Sequence, residues 1–99
     1  MTDVNKRYSW EDEDAYWRKN YRDRPYGSGD YSTYQPGYRY GFDSAQLYEG
    51  REWDDVESEL SRDWEDYEHR GSSTWEQVKA AVRDAWDRVT GKRTVGSRF

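Results

Sequence analysis

The residues best suited to chemistry are acids, and they sit close together. Asp54, Asp55 and Glu59 are near enough in sequence to share a divalent cation if the segment is helical. The spacing D-x-[DN]-x-[DN]-G of a calcium loop is missing, so a solvated face or a surface for a basic partner is the expected reading, and no metal site is assigned. Acids beside Trp also resemble glycosidase clefts, where a ring stacks on sugar and two carboxyls act. Here the acids fall on one exposed helix surface, and nothing desolvates one of them to raise its pKa. The stretch 16–42 interleaves rings with Arg18, Arg22, Arg24 and Arg39. Such a stretch can stack on nucleobases, or form cation–π contacts within the protein or between subunits. A net charge of -5 favours the contacts within protein and argues against phosphate-backbone binding. The single histidine, His69, is expected near the end of a helix as a cap or surface residue, not a ligand.

Composition removes other chemistry. The chain has no cysteine, so disulfides, zinc–thiolate sites and thiol nucleophiles are excluded. One histidine argues against a Ser-His-Asp triad or a multi-His metal site. The expectation is a protein that is not an enzyme and uses no cofactor. No apolar run is long enough for a membrane helix, and the opening MTDVNKRYSWEDED has no apolar core of a signal peptide. The expected location is the cytoplasm.

A length of 99 residues suits one domain. Charged residues reach 37% and hydrophobic ones only 32%, a balance that leans toward disorder. Six Trp and ten Tyr pull the other way, since disordered chains are poor in both. Any core must therefore be built from aromatic rings.

Four helical segments can position those rings. Ser9 is an N-cap with Asp12 at the third helical position, and Trp10, Asp14, Trp17 and Tyr21 share a face, so a helix is predicted over about 9–21. Residues 22–35 read as a loop broken by Pro25, Gly27 and Gly29. Pro36 suits a first turn, with Tyr38, Phe42, Ala45 and Tyr48 following one face and Gly50 as C′ residue, which predicts a helix over 36–49. Gly37 and Gly41 weaken that helix, or let it pack closely on a neighbouring ring.

The last two segments repeat each other. Trp53, Val56, Leu60, Trp64 and Tyr67 step by 3, 4, 4 and 3, and so do Trp75, Val78, Val82, Trp86 and Val89. The motif W-x-x-V-x-x-x-[LV]-x-x-x-W recurs after 22 residues, with Arg62-Asp63 and Arg83-Asp84 nearly equivalent. Amphipathic helices are predicted over 52–69, with Gly71 as its C′ residue, and over 74–90, with a Ser73–Glu76 capping box. A link of four or five residues would join them as an antiparallel hairpin. The expected fold is therefore all-α, one domain over 9–91, with a lead-in at 1–8 and a basic tail at 92–99.

Four strings, YWRKNYRDRPY (16–26), YRYGFDSAQLY (38–48), WDDVESELSRDWE (53–65) and STWEQVKAAVRDAWDRV (73–89), resemble a group of small hydrophilic bacterial proteins loosely associated with stress. The resemblance implies a bacterial, cytoplasmic, stress-linked protein and transfers no catalytic residue. The function expected is structural, with a homo-oligomer assembled through aromatic helix faces. Trp17, Tyr38, Trp53, Trp64, Trp75 and Trp86 would be the anchors, and Trp10, Tyr21, Phe42, Val56, Leu60, Val78, Val82 and Val89 complete the core or assembly set. The alternative is a binding module for a basic protein or a single-stranded nucleic acid, using the Tyr/Arg-rich N-terminal half.

Overall fold

The computed structural model describes residues 9–27 and 29–90. The expected lead-in at 1–8 and the tail at 92–99 lie outside them. The described chain is all-helical: α1 (Trp10–Asn20), a 3-10 turn (Tyr21–Asp23), α2 (Tyr31–Leu47), α3 (Trp53–Trp64) and α4 (Trp75–Thr90).

Helix α1 starts where its cap dictates. Ser9 is extended, and its side chain accepts from the Asp12 amide at 3.5 Å. Glu11, Asp12 and Glu13 fill the first turn, while Arg18 and Lys19 fill the last, as the helix dipole favours. Beyond the 3-10 turn, the Tyr21 hydroxyl donates to the Gly29 carbonyl at 2.6 Å, and Gly29 takes φ +76° to reverse the chain into α2.

Helix α2 begins at Tyr31, five residues before the expected start, so Pro36 lies inside it rather than in its first turn. An interior proline loses one backbone hydrogen bond and crowds the carbonyl four residues back, at roughly 3 kcal/mol. Aromatic packing on either side of Pro36 compensates. Trp17 and Tyr38 stack with centroids 4.4 Å apart and planes 6° from parallel. Tyr31 in the first turn meets Tyr21 at 5.2 Å and Tyr38 at 6.0 Å. A helix that began at Pro36 would forfeit the Tyr31 contacts. Past the Tyr48 cap, Gly50 takes φ +90°, one residue later than a C′ position.

Helix α4 lies at the centre. On one side it runs parallel to α2. A Cβ on Gly37 would lie 2.8 Å from the Val78 Cβ, and one on Gly41 would fall on the Val82 carbonyl oxygen and 2.9 Å from the Ala85 Cβ. The two glycines therefore serve close approach to a helix backbone, where a ring had been the expected neighbour. Ala81 and Ala85 of α4 join Trp17, Tyr21, Tyr31 and Tyr38 in one buried cluster.

On its other side α4 meets α3 antiparallel. Trp53 at the start of α3 touches Trp86 near the end of α4, centroids 5.7 Å apart, and Trp64 meets Trp75 at 6.3 Å. Val56, Leu60, Val78 and Val82 fill the space between these pairs. Tyr40 of α2 closes the cluster, donating its hydroxyl to the Leu60 carbonyl at 2.8 Å.

The link between α3 and α4 is longer than expected. Helix α3 stops at Trp64, not at 69, and residues 65–74 form turns. Tyr67 reaches the core from these turns, 4.7 Å from the Tyr40 ring, so its spacing from Trp64 only imitates helical phase. Gly71, with φ +62°, belongs to the same turns and caps no helix. The capping box before α4 is Thr74–Gln77 rather than Ser73–Glu76. The Thr74 amide donates to Gln77 Oε1 at 2.9 Å, and the Gln77 amide donates to Thr74 Oγ1 at 3.3 Å. Ser73 instead donates its hydroxyl to the Thr33 carbonyl at 2.8 Å, tying the entry of α4 to the first turn of α2.

Candidate functional site

The core set singled out from sequence is brought together inside one chain. Trp17, Tyr21, Tyr38, Phe42, Trp53, Val56, Leu60, Trp64, Trp75, Val78, Val82 and Trp86 are all buried. Trp10 and Val89 are half-buried at the edges of the two clusters. All six proposed assembly anchors are thus intramolecular core. The large apolar side chains exposed among the described residues are Tyr16 and Leu47.

Most rings of the aromatic–arginine stretch are buried or half-buried, and its arginines lie over rings from the solvent side. The Arg18 guanidinium lies 4.8 Å from the Tyr31 ring centre, and Arg39 lies 5.5 Å from Trp10. These are cation–π contacts within the protein. The tyrosine hydroxyls are engaged too. Tyr31 donates to Asp14 Oδ1 at 2.8 Å, and Tyr34 donates to the Tyr26 carbonyl at 2.8 Å. Burial pushes the Asp14 carboxyl up, but hydrogen bonds from Gln35, Tyr31 and Arg18 outweigh it and hold its pKa below the usual value.

A largely enclosed polar cluster centres on Asp84. Arg24 donates Nε and Nη2 to the Asp84 carboxylate at 2.8 and 3.2 Å, a two-pronged pair across 60 residues of chain. Tyr26 donates its hydroxyl to the same carboxylate at 2.6 Å and shares a hydrogen bond with the Tyr38 hydroxyl at 2.7 Å. Burial and the bond to Asp84 push the Tyr26 phenol far above its usual range. Partial burial works against the Arg24 charge, but the Asp84 carboxylate outweighs it and raises the guanidinium pKa. A second long-range pair joins Arg88 Nε to Glu13 Oε1 at 2.9 Å, and the Arg88 guanidinium sits 3.6 Å from the Tyr16 ring centre.

These buried acids were not singled out from sequence, because an Asp or Glu in a charged helix reads as solvated. One signal was present. Ala81 and Ala85 are four residues apart and flank the Trp stripe of α4, which widens its packed face toward Asp84. The repeat misleads at this point: Asp63 is 55% exposed, while its near-equivalent Asp84 is 5% exposed.

The acids of α3 form the opposite environment. Asp54, Asp55 and Asp63 are exposed on the helix, and Glu65, Asp66 and Glu68 are exposed in the turns after it. Residues 49–68 hold ten carboxylates against Arg51 and Arg62, a local charge of -8 in a chain of -5. Two ion pairs of this surface are loose, Arg62–Asp63 at 3.8 Å and Lys79–Glu57 at 3.9 Å. Among the described residues no three His, Asp or Glu side chains are placed to hold a metal ion, so Asp54, Asp55 and Glu59 do not form a cation site. His69 lies in the turns rather than at a helix end, exposed, with Nε2 3.3 Å from Glu68. Trp53 is 6% exposed, so it offers no open platform for a sugar beside these acids. No described helix is long and apolar enough to cross a membrane.

No family model, curated protein or solved structure matches the chain.

Proposed function

We propose that the protein is a non-enzymatic binding module whose acidic surface, on α3 and the turns after it, receives a cationic protein partner. The observation that carries this reading is the segregation of charge: -8 over residues 49–68, largely exposed. Asp55, Glu59 and Asp63 follow one another at i, i+4 spacing. Each like-charge pair at that spacing weakens a helix by about 0.2–0.5 kcal/mol. A cationic partner converts that repulsion into attraction and speeds encounter at low salt. The resemblance to small stress-associated bacterial proteins sets this module in a cytoplasmic stress response.

Assembly of copies through the aromatic faces requires the rings to leave their own core. Stacking of nucleobases on the Tyr/Arg-rich half would fall to exposed Tyr16, and the Arg88 guanidinium already lies 3.6 Å from its ring centre. Both therefore rank behind the acidic surface.

Sedimentation velocity tests the reading, with the full chain alone and then mixed with a lysine-rich peptide across a salt series. The expected outcome is a monomer that forms a complex with the peptide. The complex weakens as salt rises and is lost when Asp54→Asn, Asp55→Asn and Glu59→Gln are combined. A defined oligomer of the protein alone would favour self-assembly. A complex untouched by the triple variant would remove the acidic surface from the reading.

A further inference from the structure

The turn at Arg24–Tyr26, the start of α3 and the middle of α4 border an open cleft. Its volume is about 690 Å³, within the span of small-ligand pockets. Exposed Pro25 and Ala80, with the small exposed part of Trp53, give it apolar walls, and Lys79 and Arg83 bring two cations to it. We propose that this cleft binds a small aromatic carboxylate, with its ring against the apolar walls and its carboxylate between Lys79 and Arg83.

The charges in the cleft point to an anion. Five charged residues line it: Arg24, Lys79 and Arg83 against Glu57 and Asp84. Asp84 is 5% exposed and already holds the Arg24 fork and the Tyr26 hydroxyl, so that pair is closed to a ligand. Arg24 is 37% exposed but commits two donors to Asp84, whereas Lys79 and Arg83, 46% and 42% exposed, make no such short pair. Lys79 approaches Glu57 only to 3.9 Å, and Arg83 Nε approaches Asp87 only to 3.5 Å. Charge-assisted hydrogen bonds run at about 2.7–2.9 Å, so neither contact is a full ion-pair bond; the Arg83 Nε is itself buried, which leaves the outer part of the guanidinium to meet a ligand.

Geometry adds the preference for a flat body. Lys79 and Arg83 are four residues apart on α4, so both side chains rise from one face. The Arg83 guanidinium is held 5.4 Å from the Trp53 ring centre, which restrains the fork and leaves its outer face for stacking. Ala80, between the two cations in sequence, is too short to fill the cleft. Glu57 is the competitor, since it occupies the Lys79 position that the ligand carboxylate would take. This gives the proposal a signed consequence: neutralising Glu57 should tighten binding.

The test is a titration of naphthalene-2-carboxylate into the nitrogen-15-labelled full chain, followed by amide chemical shifts. The expected result is saturable one-to-one binding, with shifts concentrated at 24–26, 53–57 and 79–84. Lys79→Met, at an exposed position, should weaken affinity by roughly tenfold with helix content unchanged. Glu57→Gln should strengthen it. The neutral analogue 2-naphthylmethanol should bind at least roughly tenfold more weakly than the carboxylate. Shifts that do not saturate or fall outside the cleft would overturn the proposal, as would equal binding of the neutral analogue or an unchanged affinity in Lys79→Met.

Discussion

Arg24 and Asp84 form a two-pronged ion pair in which the partners are unequally buried, 37% exposed on the arginine and 5% on the aspartate. The inequality decides what each deletion does. In Arg24→Met the carboxylate stays inside without its guanidinium, which should cost about 3 kcal/mol or more. In Asp84→Ala the freed guanidinium can turn to water, and the loss is that of a hydrogen-bonded acceptor, about 1–2 kcal/mol. Urea unfolding of the two variants should therefore rank Arg24→Met as the less stable. The reverse order would mean that the buried carboxylate is held mainly by groups other than Arg24.

Gly41 reverses the usual rule for glycine in helices. In an exposed helix, Gly→Ala gains about 1 kcal/mol. At Gly41 the new methyl falls on the Val82 carbonyl oxygen and 2.9 Å from the Ala85 Cβ, so α2 and α4 must separate. Gly41→Ala should cost about 1–3 kcal/mol or more by overpacking. Thermal unfolding followed by circular dichroism checks this, and a raised melting temperature would refute the close parallel contact of α2 and α4.

Gly41 also shows where the sequence could be read and where it could not. The stripes at 53–64 and 75–89 were legible because each helix spends its large rings on one face, and periodicity reports that directly. The α2–α4 contact left a weaker trace: Gly37 and Gly41 pointed to close packing, but nothing local says that the neighbour is the backbone of α4 rather than a ring. Pro36 misplaced the start of α2 because its local preference is a first turn, while the stack of Tyr31, Tyr38 and Trp17 is decided by distant parts of the chain. Tyr67 lengthened α3 on paper because a turn can deliver a ring to the same cluster at a helical interval. The Ala81 and Ala85 pair hinted at burial beside Asp84, but its partners, Arg24 and Tyr26, lie about 60 residues away and could not be read locally. The acidic surface needed no tertiary knowledge, since solvated charge depends on local composition alone.

The repeat motif places Trp64 and Trp86 in corresponding positions, and both are almost wholly buried. Trp64→Ala or Trp86→Ala should each cost roughly 3–5 kcal/mol. Trp64→Phe separates ring volume from the indole N–H, which donates to the Ser73 carbonyl at 3.0 Å. Its loss leaves that carbonyl short of a partner, for about 1–3 kcal/mol plus the smaller ring. Denaturant midpoints would rank Trp64→Phe between wild type and Trp64→Ala. Unchanged helicity and melting in both alanine variants would defeat the hairpin core.

Alkali should unfold the protein through its tyrosines. Burial, above all, pushes the Tyr26, Tyr31, Tyr38, Tyr40 and Tyr67 phenols above the usual value. In the unfolded chain the same phenols ionise near pH ~10. Above that pH the folded state therefore holds more protons than the unfolded state, and stability falls as pH rises. The contribution is complete below about pH 10 and is lost progressively above it. Phenolate absorbance and helical circular dichroism, followed together through an alkaline titration, make the check. The expected trace is a gradual rise from the accessible rings, then a steep step coincident with loss of helix. Smooth ionisation of all ten tyrosines with the helices intact would show that these hydroxyls are not enclosed.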